Sequence, residues 1–224
     1  MLDTTIQDAE VVGGDNSPTT ASAPVKLKGI AVCGSHPATK ATAPFHDQGW
    51  LIYACSPDNS PFGLNPKNCS PLPRVDAFFE IHLPVFDKSR PYQYLRWLKT
   101  MPKVFMRDQL AMSLRESNGE LVFPNAVLYP EKALKDRFGP FTFTSSIAFM
   151  MAKAIVDIEA LREAGMCETD TPELGLFGIL QAAQNEYAEQ RQGTQNMIWA
   201  ATRSNIKVRV APQSRLFEPP PETF

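Results

Sequence analysis

FTFTSSIAFMMAKAIVDIEALREAGMCETDTPELGLFG, residues 141–178, is the stretch whose reading decides the fold. Thr142, Thr144, Ser145 and Ser146 crowd the front of a long apolar run. Ile147, Met150, Met151, Ala154, Ile155, Ile158 and Leu161 then recur at steps of three and four, the spacing of a helix with a wide buried stripe. The hydroxyl residues are of the type that caps a helix start, and Gly165 is a natural stop. LGLFGI at 174–179 is short, apolar and bounded by turn residues, which predicts a buried strand. The free N–H groups and positive dipole end of such a helix can hold a phosphate or carboxylate. Equally, hydroxyl caps are ordinary in core helices that bind nothing.

Working towards the N-terminus, KVFMRD at 103–108 predicts a short strand ending in Arg107 and Asp108. RVDAFFEIHLP at 74–84 predicts another, with Asp76, Glu80 and His82 towards its end. A histidine closing an apolar strand is placed for ligand contact or proton transfer, since its imidazole is poised near neutral pH, although many such residues are structural. WLIYACSPDN at 50–59 is a strand followed by Ser56, Asp58 and Asn59. KLKGIAVCGS runs from Lys26 into a Gly34-Ser35 turn and the segment HPATKATAPF. A strand that feeds a helix through a glycine turn is how nucleotide-binding α/β domains begin, and Gly34, Ser35 and Thr39 are the candidate contacts. The turn is neither GxGxxG nor a Walker loop, so it also fits a plain β-to-α connection. Between these strands, SRPYQYLRWLKT at 89–100 predicts a helix and EKALKDRFG at 131–139 a shorter one. Asn118-Gly119 marks a turn whose flanks could pair as a hairpin.

Towards the C-terminus, residues 182–192 are strongly polar, and Met197, Ile198, Trp199 and Ala200 then bring an apolar face. The second half of this segment predicts a helix; the first half fits a helix or a lid loop. Glu186, Tyr187, Gln190 and Arg191 cluster just after a strand end, and Arg191 can hold an anion with a forked pair of bonds, or the group is a solvated helix face. KVRVAP at 207–212 is the last strand. About six strands alternating with helices predict an α/β fold: a mostly parallel, Rossmann-like sheet with helices on both faces. Residues 26–217 then form one domain between an acidic, polar tail at 1–25 and a Pro-rich tail at 218–224.

Composition is consistent with this. The chain has 224 residues, 43% of them hydrophobic, enough for one domain with a real core. No apolar run reaches the about 18 residues that a membrane helix needs. The N-terminus lacks the basic start and apolar centre of a secretion signal, so a cytoplasmic location is expected. Net charge is −2, and the tail's Asp3, Asp8, Glu10 and Asp15 leave the remainder with 20 acids against 22 bases. That balance gives no general electrostatic case for nucleic acid. The four cysteines, Cys33, Cys55, Cys69 and Cys167, form no CxxC pair and suggest free thiols rather than zinc. Asp58, Asp76 and Asp108 have no spacing that compels Mg²⁺, so no metal site is expected.

GSHPAT at 34–39, YACSPDN at 53–59 and FTSSIAFMMAKAI…LGLFGI at 143–179 resemble the nucleotide-contacting turn, strand and helix of bacterial sialyltransferases that use CMP-sialic acid. The span 27–217 also resembles a group of small tailed-phage proteins, through DAFFEIH, FGPFTFTSS and EYAEQR. The resemblance implies a nucleotide or nucleotide sugar held by Gly34, Ser35, Thr39, Ser56, Asp58, Asn59, Thr144, Ser145 and Ser146. His82 would be the general base, with Glu186 and Arg191 completing the catalytic set and Arg191 stabilising the leaving phosphate. DNA or a glycan would be the acceptor, in the cytoplasm of a host. Two positions depart from the pattern: Leu180 stands where an Asp is expected, and Ser146 where a Gly is. Three functions therefore stay open: a glycosyltransferase-like enzyme, a module that captures a nucleotide without chemistry, and a scaffold that binds protein.

Overall fold

A computed structural model of the chain describes residues 25–55, 72–82, 94, 97–180 and 186–217, without the side chains of 37, 38 and 186–189. The described strands form one sheet: β1 (Gly29–Cys33), β2 (Trp50–Ala54), β3 (Ala77–Glu80), β4 (Val104–Met106), β5 (Ala126–Leu128), β6 (Glu173–Phe177) and β7 (Lys207–Val210). Their order is β5-β4-β3-β2-β1-β6-β7, and every pair is parallel. The helices are α1 (Pro37–Lys40), α2 (Gln109–Ser113), α3 (Glu131–Phe138), α4 (Ser146–Glu163) and α5 (Glu186–Arg203). Tyr94, Trp97 and Leu98 are also helical, as expected within 89–100.

The strands alternate two apolar faces. Ile30, Val32, Tyr53, Phe79, Leu174 and Leu176 pack with Met150, Ile155 and Ile158 of α4 and Met197 of α5. Ala31, Cys33, Ile52, Phe78 and Met106 pack on the other side with Phe45, Tyr94, Leu98 and Ala111. Both faces of the central strands are therefore covered, which is why β1 is buried at all five positions and reads as unbroken apolar sequence. Helix α4 buries nine of its eighteen residues and lies across β1, β2 and β6. Its polar residues Lys153 and Asp157 are satisfied: Lys153 and, from β2, Tyr53 both donate to the Asp157 carboxylate. Burial, reinforced by the Asp157 charge, pushes the Tyr53 phenol up and keeps it neutral.

The described residues form seven strands, where the sequence suggested about six. The extra one, β5, is a three-residue edge strand with Val127 and Leu128 exposed, so it carries neither alternation nor length as a signal. The turn at Asn118-Gly119 does form, with Gly119 at φ +86°. Its flanks pair as a short hairpin, the antiparallel bridge Arg115 to Leu121 being framed by Val122 N–H to Leu114 O at 2.9 Å and Glu116 N–H to Glu120 O at 2.8 Å, and the chain then adds β5 parallel to β4.

The topology locates the site. The chain walks outward from β1 to β5, then returns through α3 and α4 to lay β6 on the opposite side of β1. Strand order thus reverses between β1 and β6, and in open parallel sheets the carboxyl ends at such a reversal form the ligand crevice.

Candidate functional site

At that reversal the two turns are bolted together. Gly34 N–H donates to Phe177 O at 2.8 Å and His36 N–H to Gly178 O at 2.8 Å. Gly178 N–H donates to Thr39 Oγ1 at 2.7 Å. A Cβ on Gly34 would lie 2.5 Å from Gly178 O, and one on Gly178 would lie 2.7 Å from Gly34 O. Gly178 also has φ +65°, a backbone only glycine adopts without strain. Both glycines therefore serve close backbone approach. Thr39, expected to contact a ligand, is 1% exposed and holds the β6 turn instead.

Above this bolt lies a cavity of about 780 Å³. Its walls come from Gly34, Ser35 and His36 after β1, Cys55 after β2, Ile81 and His82 after β3, and Arg107 after β4. The start of α4 supplies Phe143 to Ile147 and Phe149, the β6 turn supplies Gly178 to Leu180, and α5 supplies Gln190. Gly34, Ser35, His82, Thr144, Ser145 and Ser146 are thus brought together as the sequence suggested. Ser56, Asp58, Asn59 and the side chain of Glu186 lie outside the described residues. Arg191 is half-buried on α5 and does not line the cavity; the neighbouring Gln190 does.

The hydroxyl-rich helix start is largely spent on architecture. Ser145 is the N-cap, its Oγ accepting from Ala148 N–H at 3.2 Å. Thr144 Oγ1 donates to Gln190 O at 3.2 Å, tying α5 to the rim. What the helix leaves for a ligand is the amides of Ser146 and Ile147, which lie ahead of the first intrahelical bond, and the positive dipole end.

Opposite, the end of β3 holds a coupled pair. Glu80 is 2% exposed. Its Oε1 accepts from both the backbone N–H and Nδ1 of His82, at 3.1 and 2.8 Å, while Tyr94 Oη donates to Oε2. The His82 side chain is 58% exposed. A carboxylate orienting a histidine whose other nitrogen is accessible is an arrangement suited to general-base work. This pairing was readable in Glu-Ile-His, because residues two apart share a strand face. Cys55 lies in the cavity wall, where its surroundings disfavour the thiolate. Burial pushes its thiol up to about 12, with the Glu80 charge adding to the shift and that of Lys40 opposing it.

The sequence reading passed over Arg107, His36, Phe143 and Phe149. For Arg107 the signal was its place at a strand end; for the others only the folded helix start reveals them. Leu180 makes the wall apolar where the resemblance expects a carboxylate. Among the described residues no group of three His, Cys, Asp or Glu side chains could hold a metal ion. None of the described helices is long and apolar enough to cross a membrane. Comparison with protein-family models, curated proteins and solved structures returned no match.

Proposed function

We propose that this chain binds a nucleotide or nucleotide sugar over the β1–β6 reversal and transfers a group from it to an acceptor hydroxyl. The observation that carries the reading is that one cavity joins the amino end of α4 to the Glu80–His82 pair. An anion-binding helix end faces the leaving phosphate, and a histidine held by a buried carboxylate faces the acceptor. In the transfer, His82 Nε2 takes the proton from the acceptor hydroxyl. The acceptor oxygen forms a bond to the donor's anomeric carbon. The bond from that carbon to the phosphate oxygen breaks, and the phosphate leaves with the electron pair, stabilised by the α4 amides.

Nucleotide capture without transfer is the second reading, and the apolar wall at Leu180 favours it. A thermal-shift series with CMP, UMP, their diphosphates and nucleotide sugars tests binding. A ligand at 100 times its dissociation constant should add about 2.7 kcal/mol. The reading expects a shift in the wild type, kept in His82→Ala while release of the nucleotide from its sugar falls by about 10²–10⁴-fold. Binding with no release in the wild type, across DNA and glycan acceptors, selects capture. No shift with any member of the series removes both readings.

A further inference from the structure

Resting on the nucleotide reading, we infer that Arg107, rather than Arg191, grips the ligand's phosphate. Among the described residues lining the cavity, Arg107 is the only side chain with a permanent charge. Its position is fixed from three sides. Nε donates to Glu131 Oε2 at 2.5 Å, Nη2 to Glu131 Oε1 at 2.7 Å, and Nη1 to Ile81 O at 3.2 Å. The guanidinium also lies over the Phe149 ring, 5.0 Å from its centroid. Phe149 is in the first turn of α4, so the cation stands beside the helix end to which the phosphate is assigned.

The guanidinium has five N–H donors. Three are engaged by Glu131 and Ile81, which leaves two for oxygens of a ligand. Glu131 does not cancel the charge. Its Oε1 also accepts from Lys135 Nζ at 2.5 Å, so two cations share one carboxylate and the group keeps +1. A purely structural brace would need neither the second cation nor a place in the cavity wall. The fork is held rigidly enough that a phosphate gains paired, charge-assisted hydrogen bonds without ordering a long side chain.

The test compares the affinities of CMP and cytidine, with UMP and uridine in parallel, by calorimetry on the full chain. The wild type should hold each nucleotide roughly 10- to 100-fold tighter than its nucleoside, the span of one or two charge-assisted bonds. Inorganic phosphate should compete with the nucleotide. Arg107→Met alone leaves Glu131 paired only with Lys135 and its Oε2 without the Arg107 bond, so the informative variant is Arg107→Met with Glu131→Met, which removes both partners and should keep the thermal midpoint close to that of the wild type. That variant should lose most of the gap, keeping only what the α4 amides supply. Arg107→Lys, which keeps charge and loses the fork, should fall between. A preserved gap in the double variant overturns the assignment and leaves the nucleotide reading standing, as does a wild type that binds cytidine as tightly as CMP. A wild type that binds none of the four overturns the nucleotide reading and this inference together.

Discussion

Oε1 of Glu80 accepts two hydrogen bonds from His82, one from the backbone N–H at 3.1 Å and one from ring Nδ1 at 2.8 Å. An ionised carboxylate only accepts, so the proton of the neutral ring sits on Nδ1 and Nε2 keeps its lone pair. Tyr94 Oη on the other carboxylate oxygen holds Glu80 in place. The expected outcome, read from ring nitrogen chemical shifts in mildly alkaline buffer, is a dominant Nδ1–H tautomer. In Glu80→Gln the amide can also donate, and the Nε2–H share should grow. A wild-type ring protonated mainly on Nε2 would remove the case for His82 as a base.

The bolt between β1 and β6 predicts a sharp contrast at one position. Thr39 Oγ1 accepts the buried N–H of Gly178. Thr39→Val keeps the shape and orphans that amide, at a cost of about 1–3 kcal/mol in urea unfolding. Thr39→Ser keeps the acceptor and should lose less. Gly178→Ala should be worse than either. Its left-handed backbone alone costs roughly 1–2 kcal/mol for an alanine, and the new Cβ also meets Gly34 O. Equal stability of Thr39→Val and wild type would mean that the amide finds another acceptor.

How much of this was legible depended on whether the signal was local. The run from Ile147 to Leu161 announced α4, and the structure caps it at Ser145 and ends it before Gly165, as spacing and residue type demanded. Buried central strands announced themselves as apolar runs. The edge strand β5 did not, since a three-residue strand with two exposed side chains has no period to detect. Strand ends gave Gly34, Ser35 and His82, because a parallel sheet gathers them on one edge, and the hydroxyl-rich helix start gave Thr144, Ser145 and Ser146. Thr39 and Arg191 had suitable chemistry, but the sequence could not say which way each would face. Arg107 was legible as a strand-end residue, but its place beside α4 was not: Phe149 and Glu131, which fix it there, are 42 and 24 positions away along the chain.

Gly193 sets a contest between two effects of opposite sign. In the interior of a helix, Gly→Ala ordinarily stabilises by about 1 kcal/mol. Here a Cβ would lie 2.3 Å from Thr142 O and 2.3 Å from Thr144 Oγ1. The first of these is backbone and cannot swing aside, so α5 must move off the rim. Gly193→Ala should therefore lower the thermal midpoint and break the Thr144–Gln190 bond at the cavity, weakening nucleotide binding with it. A raised midpoint would show that the packing of α5 on residues 142–144 is loose.

Two carboxylates give stability an acid limb. For Glu131, burial alone would raise the carboxyl, but hydrogen bonds from Arg107 and Lys135 outweigh it and hold the group below its ordinary value near 4.5. For Glu159, the fork from Arg137, two bonds of 2.7 Å, is the leading cause of a shift in the same direction. In both cases the unfolded chain binds more protons than the folded one through this range, so stability rises with pH there. Their contribution is complete above the ordinary carboxylate value and is lost as pH falls below it and through the depressed folded values. Urea midpoints taken at ~pH 7 and ~pH 3 should therefore separate widely in the wild type and less in Glu159→Gln, which has no proton to take up. The neutral-pH midpoint of Glu159→Gln should also drop, but modestly, because Arg137 is 42% exposed and water screens what the fork contributes. An acid limb unchanged by Glu159→Gln would assign it to other carboxylates and leave the Arg137 fork as a surface contact without weight.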